Sequence, residues 1–179
     1  MTTTRINSRQ KGARGERDIL KRFEEWWNPL GEENKKFFRT PGSGGLHTMG
    51  FRFQGIDISG DITTPDSQFP FTVEVKNCEG WHLEQLLTAP KSDIYKWWAQ
   101  AVEETPEGRI PLLIFKKNRH PQLFAMRRSD FLLALPNPCV TLHTEQEDVI
   151  LGLADDLFAS DHNIWRNAHA NTTAGTSAN

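Results

Sequence analysis

The spacing of apolar residues near the beginning of the chain predicts an amphipathic helix from about Gln10 to Trp27. Five positions recur at the intervals of one helical face, and they are Glu16, Ile19, Leu20, Phe23 and Trp27. The Asn-Pro-Leu-Gly segment at 28–31 ends this helix. A second helix is expected from about Ser92 to Glu104, where apolar residues again share one side. The adjacent tryptophans in both helices occupy apolar helical positions, which is more typical of core packing than of base stacking.

Shorter apolar runs predict the strands of a sheet. In chain order these runs are Phe37–Arg39, Ile56–Thr63, Phe71–Asn77, Ile110–Lys117, Leu123–Met126 and Val140–His143. The Pro41–Gly45 segment carries three glycines in five residues and predicts a flexible loop. Residues from Met126 to about Phe158 are expected to form short helices around the last strand. The core order is α-β-β-β-α-β-β, which predicts an α/β protein with a mixed central sheet flanked by helices.

The length of 179 residues suits a single folded domain, which we expect over residues 9–160. The polar residues 1–8 are expected to be a mobile N-terminal segment, and residues 161–179 a disordered polar tail. No apolar run is long enough for a membrane span, and the beginning of the chain lacks the apolar stretch of a signal peptide. The pattern therefore predicts a soluble, cytoplasmic protein.

Cysteine and histidine usage argues against a zinc protein. The two cysteines, Cys78 and Cys139, are far apart, and the six histidines lack the spacing of metal ligands. Two cysteines cannot form a disulfide framework either.

Charge is distributed unevenly along the chain, although its net value is only −2. Between Arg5 and Arg22, seven basic residues face two acids, and between Arg109 and Arg128 there are six basic residues and no acid. Six acids follow from Glu145 onward. Phosphate binding depends on local Lys and Arg density, so the two basic segments are compatible with DNA binding. The alternative is that they are solvated surface.

The strand Phe71–Asn77 carries the most informative pattern. Side chains alternate along a strand, so Glu74 and Lys76 share one face while the apolar residues take the other. Asp61, in the preceding strand, could lie beside Glu74 through a hairpin-like connection. Two close carboxylates favour a cation between them, and an oxygen-only site suits Mg²⁺ or Mn²⁺. Asp57 remains a rival for Asp61, because an unbroken strand would place both on one face.

Glu16 lies within the apolar stripe of the first helix, where leucine or alanine would be expected. A carboxylate on the core side costs free energy unless it is paired or binds a metal. The alternative is favourable placement of an acid near the N-terminus of the helix.

Four motifs in this order together resemble the PD-(D/E)XK nuclease superfamily, and within it the archaeal and phage-type Holliday-junction resolvases. The motifs are Lys-Gly…Gly-Glu-Arg at 11–17, Phe-Arg-Thr-Pro-Gly-Ser-Gly at 38–44, Gly-Asp-Ile at 60–62 and Val-Glu-Val-Lys at 73–76. The similarity spans roughly Lys11 to Lys117. One departure is Gly60, since the superfamily name places proline before the aspartate.

The resemblance implies a restriction-endonuclease-like core that hydrolyses DNA with Mg²⁺, for which Mn²⁺ could substitute. It implies four catalytic residues, namely Glu16, Asp61, Glu74 and Lys76. The implied metal ligands are Asp61, Glu74, the Val75 carbonyl and Glu16, the last directly or through water. Lys76 would orient or activate water. The implied DNA contacts are Lys11, Arg14, Arg39, Ser43, Gln100 and Arg119, and Gly12 and Gly15 would allow phosphate to approach closely.

A junction resolvase cuts two symmetry-related strands, so the resemblance also implies a homodimer acting on branched DNA, in the host cytoplasm if the protein is encoded by a phage. Two alternatives stay open. One is a nuclease of the same core that acts on duplex or flap DNA. The other is a non-catalytic DNA-binding module, against which the set of clustered acids argues, because acids near phosphate weaken binding.

Overall fold

The first helix organises one side of the protein. The computed structural model describes residues 8–40, 52–53, 56–57, 59–89, 92–132, 138–144 and 146–167. Helix α1 spans Ser8–Trp27, beginning two residues before the predicted start and ending at the predicted residue. Asn28 stops it by bonding the following turn, since its side chain donates to the Glu32 carbonyl at 2.9 Å and accepts the Glu32 N–H at 2.8 Å. A 3₁₀ turn follows at Glu33–Lys35.

Within the described residues, the main sheet has seven strands, namely β1 Phe38–Arg39, β4 Ile62–Thr63, β5 Phe71–Asn77, β6 Ile110–Lys116, β7 Leu123–Arg127, β8 Val140–His143 and β9 Asp148–Leu153. Their spatial order is β1-β4-β5-β6-β7-β9-β8. A separate pair consists of β2 Arg52–Phe53 and β3 Ile56–Asp57. Only β5 and β6 pair in parallel among the strands of the described residues, so the sheet is mixed.

The prediction of one continuous strand over Ile56–Thr63 is wrong. Gly60 interrupts the run with a φ of +73°, a conformation that side-chain-bearing residues rarely adopt. A Cβ at this position would lie 2.5 Å from the Val73 carbonyl oxygen, so Gly60 also allows the backbone to approach β5. Proline, with φ fixed near −65°, could not take this backbone conformation. The glycine is therefore required by the local geometry.

Parallel pairing of β5 and β6 brings the centre of the sheet together. All seven residues of β5 are in register with β6, from Phe71 opposite Ile110 to Asn77 opposite Lys116. Parallel neighbours need a crossover connection, and the described part of this one contains two helices, α2 at Gln85–Thr88 and α3 at Asp93–Glu103. Helix α3 agrees with the predicted helix to within one residue at either end.

Two apolar clusters cover the two faces of the sheet. One joins α1 to β5 and contains aromatic residues from both, among them Phe23, Trp27 and Phe71. The other joins α3 to β6 and includes Trp98 and Phe115. The prediction that the paired tryptophans belong to the core is confirmed for Trp26, Trp27 and Trp98, which are buried, while Trp97 is partly buried against the second cluster.

The C-terminal part of the described chain adds a strand that the sequence pattern did not predict, while its helix lies where short helices were expected. Strand β9 inserts between β7 and β8, and helix α4 follows directly at Ala154–Ala159. Trp165 is fully buried in the α1-side cluster, so the ordered region extends beyond the expected boundary at residue 160. Burial of an aromatic residue this large removes much apolar surface from water, even where its neighbours in sequence are polar. Residues 1–7 and 168–179 lie outside the described residues.

The predicted fold class is confirmed, because a mixed sheet lies between helices on both faces. The helices of the described residues include none with the length and apolar character needed to cross a membrane.

Candidate active site

Asp61 is held against β5 by two hydrogen bonds. Its backbone N–H donates to the Val73 carbonyl at 2.7 Å, and its side-chain Oδ2 accepts the Val75 N–H at 2.8 Å. The antiparallel pairing of Ile62 with Val73 extends this contact into β4. The carboxylate is buried, with 5% of the residue exposed. This arrangement favours Asp61 over Asp57, because β3 carries Asp57 into the separate two-stranded sheet.

Glu74 and Lys76 share the α3-side face of β5, as the alternation along the strand predicts. Glu74 is buried, with 3% of the residue exposed, and Lys76 is half-buried. The Lys76 ammonium forms an ion pair with Glu74 Oε1. The neighbouring Val73 and Val75 are buried on the α1 side of the same strand. One strand therefore contributes both to the core and to a buried charged cluster.

The environment of Glu74 raises the pKa of its carboxyl group from 4.5 to about 7. Burial is the largest cause, and the negative charge of Asp61 is the second. The Lys76 ammonium opposes both effects through its charge and its hydrogen bond, while Glu104 adds a small further increase. The Lys76 ammonium thus offsets only part of the combined effect of burial and of Asp61 on the pKa of Glu74.

Helix α3 contributes two polar residues to the same site. The Lys76 ammonium donates to Gln100 Oε1 at 3.0 Å, and Gln100 Nε2 donates to Glu104 Oε1 at 2.9 Å. Gln100 was expected at the site, whereas Glu104 was not. The sequence signal that could have indicated Glu104 was its spacing of four residues from Gln100. Residues four apart lie on one helical face, where Gln and Glu side chains can form a hydrogen bond.

Glu16 has a partner other than the Asp61–Glu74 pair. Its Oε2 accepts two hydrogen bonds from the Arg39 guanidinium, one of them from Nε at 2.7 Å. This ion pair links α1 to β1, which itself pairs with β4. Participation of Glu16 in the acidic cluster, directly or through water, stays a prediction. Arg39 is about one-third exposed, so one side remains accessible.

The donor set at β4 and β5 fits a hard divalent cation. Asp61 and Glu74 supply buried carboxylate oxygens, which are the ligands that such a cation prefers. Within the described ranges, no group of three or more His, Cys, Asp or Glu side chains is arranged to hold a metal ion. Two carboxylates would leave the other coordination positions to backbone carbonyls, of which Val75 stays the predicted one, and to water or phosphate.

Two glycines of α1 were expected to admit phosphate, and Gly15 has a different role. A Cβ on Gly15 would lie 2.7 Å from the Asn77 Cβ, so this glycine allows α1 to pack closely on the end of β5. Asn77 secures the contact by donating to the Lys11 carbonyl at 3.0 Å. Gly12 borders Glu16, and its predicted role stays untested.

The predicted DNA contacts differ in how far they are free to bind phosphate. Arg14 and Arg119 are exposed, whereas Lys11 is mostly buried and pairs with Glu79. In the second basic segment, Arg127 binds Glu147 at 2.5 Å. Much of that segment's positive charge is therefore used within the protein. Ser43 and the Pro41–Gly45 segment lie outside the described residues.

Comparisons with known proteins agree with this geometry. The model of a family described as "Phage putative PDDEXK endonuclease" matches residues 7–157, which include every strand of the main sheet. The chain is also 28% identical over 162 residues to Protein D14 of Escherichia phage T5, covering 83% of this chain and 89% of that protein. No solved structure matches the chain.

Proposed function

We propose that this chain, which belongs to the phage PD-(D/E)XK endonuclease family, uses Mg²⁺ to hydrolyse phosphodiester bonds in branched DNA. Membership of the family supports a nuclease. The proposal adds the metal, for which Mn²⁺ can substitute, and the substrate, a four-way junction cut by a homodimer. The DNA would be met in the host cytoplasm.

The observation that supports the proposal best is the cluster of Asp61, Glu74 and Lys76 at adjoining strands. Asp61 binds β5 through the Val75 N–H, one residue from Glu74, and the alternation along β5 puts the Lys76 ammonium on the same face as Glu74. A protein that only binds DNA gains nothing from buried acids near phosphate, since they repel it. A nuclease gains a cation site from them.

Each residue of the cluster has a chemical task under this proposal. Asp61 and Glu74 hold the divalent cation through carboxylate oxygens. Such a cation lowers the pKa of water and offsets the charge that develops on the phosphate in the transition state. Lys76 orients the attacking water or adds positive charge beside the phosphate. Arg39 contacts the DNA backbone from β1, where Glu16 fixes its guanidinium.

Branched DNA is proposed as the substrate because the order of the four sequence motifs resembles that of the phage-type and archaeal resolvases. A four-way junction presents two symmetry-related strands. A homodimer would place one copy of the cluster at each of them, which a monomer cannot do in one encounter. Sedimentation of the protein alone and with junction DNA tests the homodimer, and a single copy per junction would contradict it.

The test of the function is incubation with three synthetic substrates of matched sequence, namely a four-way junction, a linear duplex and a flap. Each is tested with Mg²⁺, with Mn²⁺ and with EDTA. We expect paired symmetric nicks in the junction with either cation and no cleavage in EDTA. Equal cleavage of duplex and junction would reject the resolvase assignment and leave the nuclease. Binding of junctions without cleavage under any condition would favour the non-catalytic alternative.

The Pro41–Gly45 segment provides a second test of junction preference. Three glycines make the ordering of this segment costly in entropy, so its composition calls for a functional reason. Replacing Gly42 and Gly44 with alanine should reduce junction cleavage far more than junction affinity. If cleavage of duplex and junction falls equally in this variant, the segment has no junction-specific role.

A further inference from the structure

Lys76, Gln100 and Glu104 form a chain of hydrogen bonds whose direction is fixed by chemistry. The Lys76 ammonium only donates and the Glu104 carboxylate accepts, so the Gln100 amide must turn its oxygen to Lys76 and its nitrogen to Glu104. With the acceptor at Glu104 removed, the Gln100 amide would lose one of its two partners, and only the bond from Lys76 would remain to orient it. The Gln100 side chain could then turn away from the ammonium more often.

Helix α3 gives this chain a rigid support. Gln100 lies in the last turn of the helix, and Glu104 is its C-terminal capping residue, four positions later. Ile94, Trp98 and Ala101 are buried against the α3-side core, which fixes the helix relative to β6. The charge of Glu104 also reaches Glu74, since it contributes to the raised pKa of that carboxyl. Glu104 therefore reaches the Lys76 ammonium through the Gln100 amide.

Lys76 needs an anchor other than Glu74. A lysine side chain has four rotatable carbon–carbon bonds, and its ammonium is held here by the Glu74 carboxylate and the Gln100 amide. A divalent cation on Glu74 would compete with the ammonium for the same oxygens and repel it. Gln100 would then be the described partner that continues to hold Lys76 in the site.

We propose that Glu104 is a positioning residue for Lys76, acting through Gln100, an inference that rests on the proposed DNA cleavage. Glu104 fixes the amide of Gln100, and the amide keeps the ammonium directed into the site while Glu74 binds the cation. The residue touches neither DNA nor the reacting atoms. It determines how often Lys76 is in position when the phosphate arrives.

The kinetic test uses Glu104→Leu, Glu104→Gln and the matched control Glu103→Leu. Glu103 is exposed, lies one residue earlier in α3 and carries the same charge. We expect Glu104→Leu to lower the single-turnover cleavage rate by about 10- to 100-fold, with DNA affinity in Ca²⁺ within about threefold of wild type. Glu104→Gln retains an acceptor for Gln100 and should recover most of that loss, while Glu103→Leu should stay within about twofold.

Two kinetic results would overturn the inference. One is an unchanged rate in Glu104→Leu. The other is an equal loss in Glu104→Gln and Glu104→Leu, which would mean that the negative charge matters and the hydrogen bond does not. Thermal melting of the three variants checks that each is folded before the rates are compared.

A labelling experiment separates this inference from the proposed function, because it needs no nuclease activity. Trace acetylation with acetic anhydride, read by peptide mass spectrometry, reports the accessibility of the Lys76 amine with and without Mg²⁺. We expect labelling of Lys76 to increase at least about threefold in Glu104→Leu with Mg²⁺ present and to match wild type in Glu103→Leu. Equal labelling in all variants would overturn the positioning role even if the protein cleaves DNA. Increased labelling in a protein that cleaves no DNA would instead reject the proposed function alone.

Discussion

Both faces of β5 carry buried side chains, and the two faces differ in what that burial costs in free energy. On the α1 side, Phe71 and Val73 are fully buried among aromatic residues of the core. On the α3 side, Glu74 is 3% exposed but keeps a carboxylate beside Asp61. Burial of the first set stabilises the fold, whereas burial of the second opposes ionisation and raises the pKa of Glu74. The packing of the apolar face thus stabilises the strand and offsets the free-energy cost of burying charged groups on the other face.

The largest effect is expected from substitutions on the charged face of β5 alone. Asp61→Asn or Glu74→Gln should lower cleavage by at least about 1000-fold, because each removes a proposed ligand for the cation. DNA binding should be retained or become tighter, since a negative charge near phosphate is lost. Cleavage rates and affinities on junction DNA provide the measurement.

Asp57→Asn is the matched control for the aspartate, because Asp57 lies in β3 outside the main sheet. This variant should cleave DNA normally. Retained cleavage in Asp61→Asn together with loss in Asp57→Asn would mean that the site has been assigned to the wrong aspartate.

A substitution on the apolar face of β5 should have the opposite effect, lowering stability while leaving cleavage nearly unchanged. Phe71→Ala removes a fully buried ring from β5 and should lower the free energy of unfolding by about 3–5 kcal/mol. Cleavage per folded molecule should stay close to wild type at low temperature, because the ring faces away from Glu74. Urea denaturation and active-site titration test this together. A large loss of activity in fully folded Phe71→Ala would show that the two faces are coupled.

The pH dependence of stability distinguishes the faces further. Because the pKa of Glu74 is raised to about 7, the folded state holds its proton more tightly than the unfolded state. Without divalent cation, the contribution of Glu74 to the free energy of unfolding is fully present below pH 4.5. This contribution is lost as the pH rises towards and through 7, and the total loss is about 3 kcal/mol.

Glu74→Gln removes this contribution to the pH dependence, so wild type and variant should diverge in unfolding free energy between pH 4.5 and 8. The variant should be the more stable at the upper end. Added Mg²⁺ should reduce the difference. If the unfolding free energies of the two proteins change with pH in parallel, the environment assigned to Glu74 is contradicted.

The smallest expected effect concerns the basic segment after β6. Arg119 and Arg128 are exposed, whereas Arg127 is held by Glu147 at 2.5 Å and Asp130 at 3.8 Å. Replacing Arg119 and Arg128 with alanine should reduce the salt dependence of DNA binding by roughly one slope unit per lost phosphate contact. Arg127→Ala should mainly lower the free energy of unfolding and should change the salt dependence of DNA binding little. An unchanged slope in the double variant would mean that the segment is only solvated surface.

The local sequence pattern was sufficient to predict those features that depend only on residues close together in the chain. The period of α1 and α3, the alternation along β5 and the shared face of Glu74 and Lys76 could all be predicted, since each depends on the geometry of one element. The family resemblance was also readable, because its motifs follow one another along the chain. The break in the Ile56–Thr63 run was missed, because the close approach of Gly60 to Val73 depends on a second strand.

The sequence by itself therefore determined the class of fold, the Glu-x-Lys strand and the identity of the chemistry to look for. Tertiary structure alone decided which side chains meet, as when Arg39 pairs with Glu16, Gly15 packs on Asn77, and Trp165 enters the core from a polar segment. It also brought Glu104 to Lys76 through Gln100. These contacts join elements that are far apart in the chain. They depend on strand register and helix packing, which no local pattern of residue types encodes.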